Sequence, residues 1–356
     1  DPQAISIAQI IRIVRPDVLL LNEFDFDAEG KAAKLFREQY LQQDSLSPAK
    51  PSTEPIEYPY IVSLPSNTGV PTGFDMDNDG VVAVESGTPE FARDAKGYGT
   101  FEGQYGMLLL SRKPIDHGRI RTFQRFLWKD MPGAKLPRDP STNQLWYTDE
   151  ELALLPLSSK SHWDVPILVA GRSIHLLASH PTPPVFDGPE DRNGLRNEDE
   201  IRLFLDYVQP DRSGYLCDDA GTSGGLPSGS YFVLLGDLNS DPVDGDGNQA
   251  VNQWLKSSLV MAVEPHSEGG VEASKTGSAN ESQSGDPAAD TSDFDDERGP
   301  GNLRLDYVLP SRNLSAVGSG VFWPSSARSQ SQHEFAAASD HRLVWVDVRI
   351  SETEGA

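Results

Sequence analysis

The sequence predicts a layered α/β fold in which β-sheets lie between outer helices, an αββα order. Three observations carry that expectation. Apolar runs such as Val18 to Leu21 and Tyr231 to Leu235 are too short for helices and are bounded by turn formers, as buried strands are. Amphipathic helical patterns adjoin such runs toward both ends of the chain, giving a strand and helix rhythm. At 356 residues and 37% hydrophobic composition, the chain can bury a large core.

Taken in order, residues 4–14 place Ile7, Ile10, Ile11 and Val14 on one helical stripe, and Arg15-Pro16-Asp17 ends it. A buried strand follows, ending at Asn22-Glu23. Further strands are expected at Met107–Leu110, Ile167–Ala170, Ile174–Ser179, Tyr231–Leu235, Leu305–Leu309 and Leu343–Ile350. Residues 195–208 read as an amphipathic helix with Asn193-Gly194 at its start. Residues 41–100, 125–165 and 265–302 read as insertions, the last a polar surface loop nearly free of large apolar side chains. One catalytic domain over residues 1–350, with a short tail at 351–356, is the expected organisation.

A formal net charge of −24 repels polyanions, so tight nonspecific nucleic-acid binding is disfavoured and a nucleic acid enters only as a substrate. Cys217 is the single cysteine, which excludes an internal disulfide framework and a thiolate cluster, and it reads as a small, partly buried residue. No apolar run approaches the length of a membrane span. The N-terminus shows no basic-then-apolar leader. Acidity and low cysteine content favour a secreted or periplasmic protein.

Five distant segments each put a catalysis-capable side chain after an apolar stretch: LLLNE (Glu23), LLASHPTPP (His180), VLLGDLNSDP (Asp237, Asn239), LRLDYVLP (Asp306) and ASDHRLVWV (Asp340, His341). Singly, each is an ordinary turn or cap. In this order, with GQYGMLLLSRKPI at 103–115, they resemble the endonuclease/exonuclease/phosphatase superfamily, whose members include deoxyribonucleases, abasic-site endonucleases, inositol-polyphosphate phosphatases and neutral sphingomyelinases.

That resemblance implies a four-layer αββα sandwich of two packed mixed β-sheets, like deoxyribonuclease I, and phosphoester hydrolysis by in-line attack of water. It implies a divalent cation, Mg²⁺ or Mn²⁺ first and Ca²⁺ as an alternative, held by Glu23 and Asp340. Asp237 orients the water. Asn239, two residues on along an extended segment, donates to the phosphoryl oxygen. His341 contacts the phosphate with its tautomer held by Asp306, and His180 binds phosphate or protonates the leaving group. Family members carry an earlier strand ending in a metal-site Asn. Only a helix precedes the Glu23 strand here, which leaves that Asn unassigned, whether the mature chain is processed or the sequence begins late.

Secondary sites are open between two readings each. DMDNDG (Asp75, Asp77, Asp79, Gly80) fits a structural Ca²⁺ loop or a solvated acidic loop, whereas DPVDGDG (Asp241, Asp244, Asp246), close after GDLN, fits the rim of the pocket first and a Ca²⁺ site second. Arg192, Asn193, Arg196 and Asn197 fit a substrate-phosphate site at a helix start or plain surface charge. Trp128, Trp146 and Trp163 line a cleft or pack under a loop. His162, His175, His266 and His333 have no evident partner. The leading function is a metal-dependent phosphodiesterase or phosphatase. Its rivals are a deoxyribonuclease-like nuclease, a phospholipase acting on sphingomyelin-like head groups, and a catalytically silent calcium-stabilised extracellular protein.

Overall fold

The computed structural model describes residues 1–44, 53–245 and 249–350. Asp246, the 351–356 tail and residues 45–52 of the first insertion lie outside the described residues. Among those described, the strands are β1 (Val18–Asn22), β2 (Tyr60–Val62), β3 (Met107–Ser111), β4 (Arg121–Thr122), β5 (His162–Val169), β6 (Arg172–Ser179), β7 (Tyr231–Asp237), β8 (Ser292–Asp293), β9 (Asn302–Leu303), β10 (Asp306–Pro310), β11 (Leu314–Val321) and β12 (Val344–Ile350). One sheet runs β1-β3-β2 and a second runs β10-β7-β6-β5-β4, with β11-β12 and β8-β9 as separate pairs. The second sheet is mixed, because β6 and β7 are parallel while its other pairs are antiparallel.

Three apolar clusters define the layers. Val62, Met107 and Leu109 of the first sheet meet Trp163, Val165, Leu176, Ala178 and Val233 of the second, forming the core between sheets. The opposite face of the first sheet, Leu19, Leu108 and Leu110, packs on helix α1 (Pro2–Val14) through Ala8 and Ile11, and on α2 (Lys31–Phe36) through Phe36. On the far side Leu177, Phe232, Leu234 and Leu309 receive Ile201, Phe204 and Leu205. Strand alternation explains this division: adjacent side chains serve opposite faces of one sheet. The order is therefore helix, sheet, sheet, helix, a four-layer αββα fold.

The insertions carry more structure than their composition suggests. Helix α3 (Pro89–Arg93) is capped by the Thr88 side chain, and α4 (Asp149–Leu152) has a reciprocal capping box between Thr148 and Glu151. Helix α5 (Arg192–Tyr207) lies over the second sheet, and α6 (Asn252–Leu255) packs beside it through Trp254. The polar segment 265–302 is not a bare surface loop: it forms α7 (Glu268–Ala273), α8 (Ser278–Glu281) and the β8-β9 pair, and buries Asn280, Asp290, Thr291 and Ser292. Polar side chains satisfy its backbone where apolar ones are missing, as when Asn280 Oδ1 accepts from Asn302 N at 2.8 Å. Helix α9 (Gln330–Ala336) then packs against α1.

Trp128 and Trp163 are fully buried, so neither lines a cleft, and Trp146 donates to Met76 O and stacks under Arg192. Cys217 is exposed rather than partly buried.

Gly236 deserves its glycine. Its φ is +146°, and a Cβ there would sit 2.0 Å from Ser179 O on the parallel neighbour β6. We expect Gly236→Ala to destabilise by about 2–3 kcal/mol through backbone overpacking, read as a lower denaturant midpoint with an unchanged slope. An unchanged midpoint refutes the close approach.

Candidate active site

The ends of the strands converge on one spot. Asp237 closes β7, Asp306 opens β10, and the two are register partners across the antiparallel pair. His180 immediately follows β6, the strand parallel to β7. His341 reaches in through a single bridge to Ser292. Its Nδ1 lies 2.9 Å from Asp306 Oδ2, and its Nε2 lies 3.8 Å from Asp237 Oδ2. His180 Nε2 lies 3.4 Å from the same Asp237 oxygen. Two imidazoles and one carboxylate oxygen therefore face a common point.

Each member is held by its local fold. Thr291 Oγ1 donates to Asp306 Oδ2 at 2.8 Å and accepts from the amides of Leu305 and Asp306. Phe294 meets the His341 ring edge-to-face at 5.6 Å. Arg342, stacked over Trp323 at 4.3 Å, donates to Asp293 and fixes the turn beyond His341. Asn239 is in the left-handed region at φ 48°, so the segment after Asp237 is a turn and not extended. Its amide donates to Asp237 Oδ1 at 2.8 Å and its Nδ2 to Pro181 O at 3.1 Å. That side-chain bond ties the turn to the segment carrying His180.

Electrostatics follow from burial and pairing. Burial works against the charged ring of His341, yet Asp306, Asp237 and Asp340 outweigh it and lift its pKa well above the ordinary imidazole value. Burial alone would raise the Asp237 carboxyl, but His341, His180 and the Asn239 amide reverse this and hold it below the usual range. Asp306 moves the other way: burial, with Asp237 adding to it, exceeds the pull of His341. Within the trio, the pairing favours the carboxylate form of Asp237 and the charged ring of His341.

Glu23 is exposed at the end of β1 with φ 57°, and Asp340 is exposed beside His341. Asp237, Asp306 and His341 form a set of potential ligand atoms within 4.8 Å of one another, and neither Glu23 nor Asp340 joins such a set among the described residues. The buried Asn22 Oδ1, one residue before Glu23, has no hydrogen-bond partner. His180 Nδ1 is likewise buried without one.

Lys160 is a residue that motif reading overlooks. It is 6% exposed, and burial pulls its amine down while Glu200, Asp237 and Glu23 pull it back up. It therefore lies within electrostatic reach of both Asp237 and Glu23. Its signal in the sequence is isolation: between Leu152 and Trp163 it is the one Lys, Arg, Asp or Glu.

Other expected sites resolve differently. The helix-start group is committed to the fold. Arg196 donates to Leu157 O, Lys96 O and Pro156 O, and Asn197 Nδ2 donates to Thr182 O and Leu238 O. Arg192 pairs with Glu190, while Asn193 spends its amide on Asp187 and its side chain on Val185 O. Helix α5 begins at Arg192, and in its first turns the donors of the buried Arg196 and Asn197 go to backbone carbonyls, while Arg192 and Asn193 are half-buried.

In the DMDNDG loop Asp75 and Asp77 group with Asp94, not with Asp79. Asp75 accepts from the amides of Asp79 and Gly80, and Asp77 pairs with Arg93. The four unassigned histidines all have partners: His162 with Glu200 O, His175 with Asp164, His266 with Glu264, and His333 with Pro324 O.

The profile of the endonuclease/exonuclease/phosphatase family matches residues 1–341. The chain belongs to that family. Endonuclease/exonuclease/phosphatase proteins of known structure resemble it at low identity. One from Beutenbergia cavernae DSM 12333 is 16% identical with a TM-score of 0.49, over 98% of this chain and 66% of that one. The chain thus spans just under two thirds of that relative. A family protein from Leptotrichia buccalis C-1013-b is 15% identical with a TM-score of 0.47, over 98% and 93%. Sphingomyelinase C from Streptomyces griseocarneus is 14% identical with a TM-score of 0.43, over 98% and 88%. No curated protein sequence matches the chain. Among the described residues, no helix of this family member is long and apolar enough to cross a membrane.

The His341–Asp306 pair sets a pH dependence. With its folded pKa raised above an unfolded value of about 6.5, His341 contributes stability fully present below about pH 6.5 and lost as pH rises through the folded pKa. In Asp306→Asn we expect the His341 ring titration, followed by NMR, to fall by at least about one unit. An unmoved titration refutes the pairing.

Proposed function

We propose that this chain is a divalent-metal-dependent phosphoesterase that cleaves small or exposed phosphodiesters or monoesters by in-line attack of water. The observation that carries the reading is the convergence of His180 and His341 on one oxygen of Asp237. In this proposal residues 1–350 act as one catalytic unit, and the acidic composition and single cysteine support export from the cytoplasm.

A carboxylate held below its usual range is a weak proton acceptor. Asp237 therefore acts mainly by orienting water along the line of attack, where geometry alone is worth several orders of magnitude. His341, kept charged by Asp306 and Asp237, donates to a non-bridging phosphoryl oxygen as negative charge builds there. The His180 ring contacts the phosphoryl group or the departing oxygen through Nε2. Asn239 anchors the turn with its side chain and steadies Asp237 with its amide. Lys160 adds a fixed donor on the Glu23 side of the pocket.

The donor set fits a hard cation. Glu23 and Asp340 offer exposed carboxylates, Asp237 and Asp306 stand within reach of His341, and Asn22 contributes an orphaned acceptor oxygen. By the family resemblance Glu23 and Asp340 would supply its carboxylates, whereas the ligand atoms that already lie within 4.8 Å of one another are those of Asp237, Asp306 and His341. When bound, the ion polarises the phosphoryl oxygen and neutralises developing charge.

The test is hydrolysis of bis-p-nitrophenyl phosphate, p-nitrophenyl phosphate and plasmid DNA, each with Mg²⁺, Mn²⁺, Ca²⁺ or EDTA. We expect turnover of a small ester with Mg²⁺ or Mn²⁺ and none with EDTA. Asp237→Ala, His341→Ala and Lys160→Met should each lower kcat about 10²- to 10³-fold. Preference for plasmid would move the assignment to a nuclease, absence of turnover with every metal would overturn it, and unchanged rates in the variants would overturn the site.

A further inference from the structure

The ladder between β5 and β6 ends at the pair His162 and Ser179, beside the residues that carry Lys160 and His180. Past that rung the two backbones turn to one side chain. Glu200, midway along α5, accepts from the Ser159 amide at 2.7 Å and from Ser159 Oγ at 3.2 Å through Oε1, and from the Thr182 amide at 2.6 Å through Oε2. One carboxylate thus spans both strand extensions, with one oxygen for each.

Glu200 is completely buried, and among the described residues every hydrogen bond of its carboxylate goes to these two loops. The loops supply the donors that offset its burial. Its own backbone carbonyl meets His162 Nε2 at 2.9 Å, so the helix is anchored at the last rung as well.

His180 depends on such an anchor. Its Nδ1 is buried without a hydrogen-bond partner, so no carboxylate or carbonyl fixes the ring from that side. The backbone after it is held instead: Pro181 O accepts from Asn239 Nδ2, Thr182 N donates to Glu200, and Thr182 O accepts from Asn197 Nδ2 at 2.9 Å. Lys160, on the other extension, follows Ser159 directly.

We infer that Glu200 is a positioning residue for hydrolysis, which acts through the backbone on His180 and Lys160 and touches no substrate itself. The inference rests on the phosphoesterase reading given above. Its acceptor count makes it specific. A carboxylate presents an acceptor oxygen to each loop, whereas a glutamine of the same shape presents one oxygen and one NH₂. Glu200→Gln therefore has to set a donor against one of the two amides and release that loop.

The experiment compares the full chain with Glu200→Gln and with Ile201→Val, a buried neighbour that packs on the sheet without bonding either loop through its side chain. Hydrolysis of bis-p-nitrophenyl phosphate, melting temperature and the NMR signals of the His180 ring are read for each. We expect Glu200→Gln to lower kcat about 10- to 100-fold, with KM kept within about twofold. Ile201→Val should lower the melting temperature and leave kcat and the His180 signals in place. In a His180→Ala background the cost of Glu200→Gln should shrink at least about threefold, because part of its path has been removed. Where Glu200→Gln does not fold, Glu200→Asp, which keeps the charge and shortens the reach, is read in the same way.

A cost that is undiminished in the His180→Ala background, or an equal loss of kcat in Ile201→Val, makes the role merely structural and overturns the inference. Absence of turnover in the wild type overturns the phosphoesterase reading instead. The His180 signals then decide the positioning claim alone: it stands if they move in Glu200→Gln and not in Ile201→Val, and falls if they do not move.

Discussion

The architecture of the candidate active site depends on a like-charge contact. Asp237 and Asp306 are direct partners across the β7–β10 ladder, and carboxylates in opposed positions repel. The fold retains the pair because His341 bridges it, hydrogen-bonded to Asp306 and facing Asp237. Much of the surrounding structure holds that imidazole in place: the Thr291 hydroxyl under Asp306, the Phe294 edge against the ring, and Arg342 clasped between Trp323 and Asp293. The short β8-β9 pair provides the backbone on which this rests, through the bridge between Ser292 and His341.

Helix α5 plays the corresponding part on the other side. Its interior polar residues hold loops rather than face water. Arg196 caps three carbonyls, Asn197 ties the segment after His180 to the segment after Asp237, and Glu200 accepts from the amides of Ser159 and Thr182. Lys160 follows Ser159 directly. Thus the placement of Lys160 and the position of His180 near Asp237 both trace to one glutamate that is completely buried. Such a buried polar network is stabilising only when each member is paired, which makes it specific to this arrangement of loops.

What was legible in the sequence was what short apolar runs and turn chemistry encode. The strands ending in Asn22, Ser179 and Asp237 stand out because both faces of each sheet are covered, leaving continuous apolar stretches. Helix α1 was legible from its stripe and its Pro16 stop. Strand β11, LSAVGSGV, was not: paired only with β12, it has two glycines and a half-exposed face, so it lacks both alternation and bulk. The helices within 265–302 were hidden because side-chain hydrogen bonds, not apolar burial, organise that segment. At the site, Glu23, His180 and Asp237 were legible at strand ends, whereas the left-handed turn at Asn239 and the burial of Arg196 depend on contacts with distant loops that spacing does not encode.

The bridging imidazole has a consequence for how the protein is made. Metal-binding pockets built from clustered carboxylates commonly resist closing until an ion arrives to cancel their repulsion. Here the pocket carries its own partner for both carboxylates in His341, so β7 and β10 can pair with Asp237 and Asp306 opposed and the repulsion between them offset from within the protein.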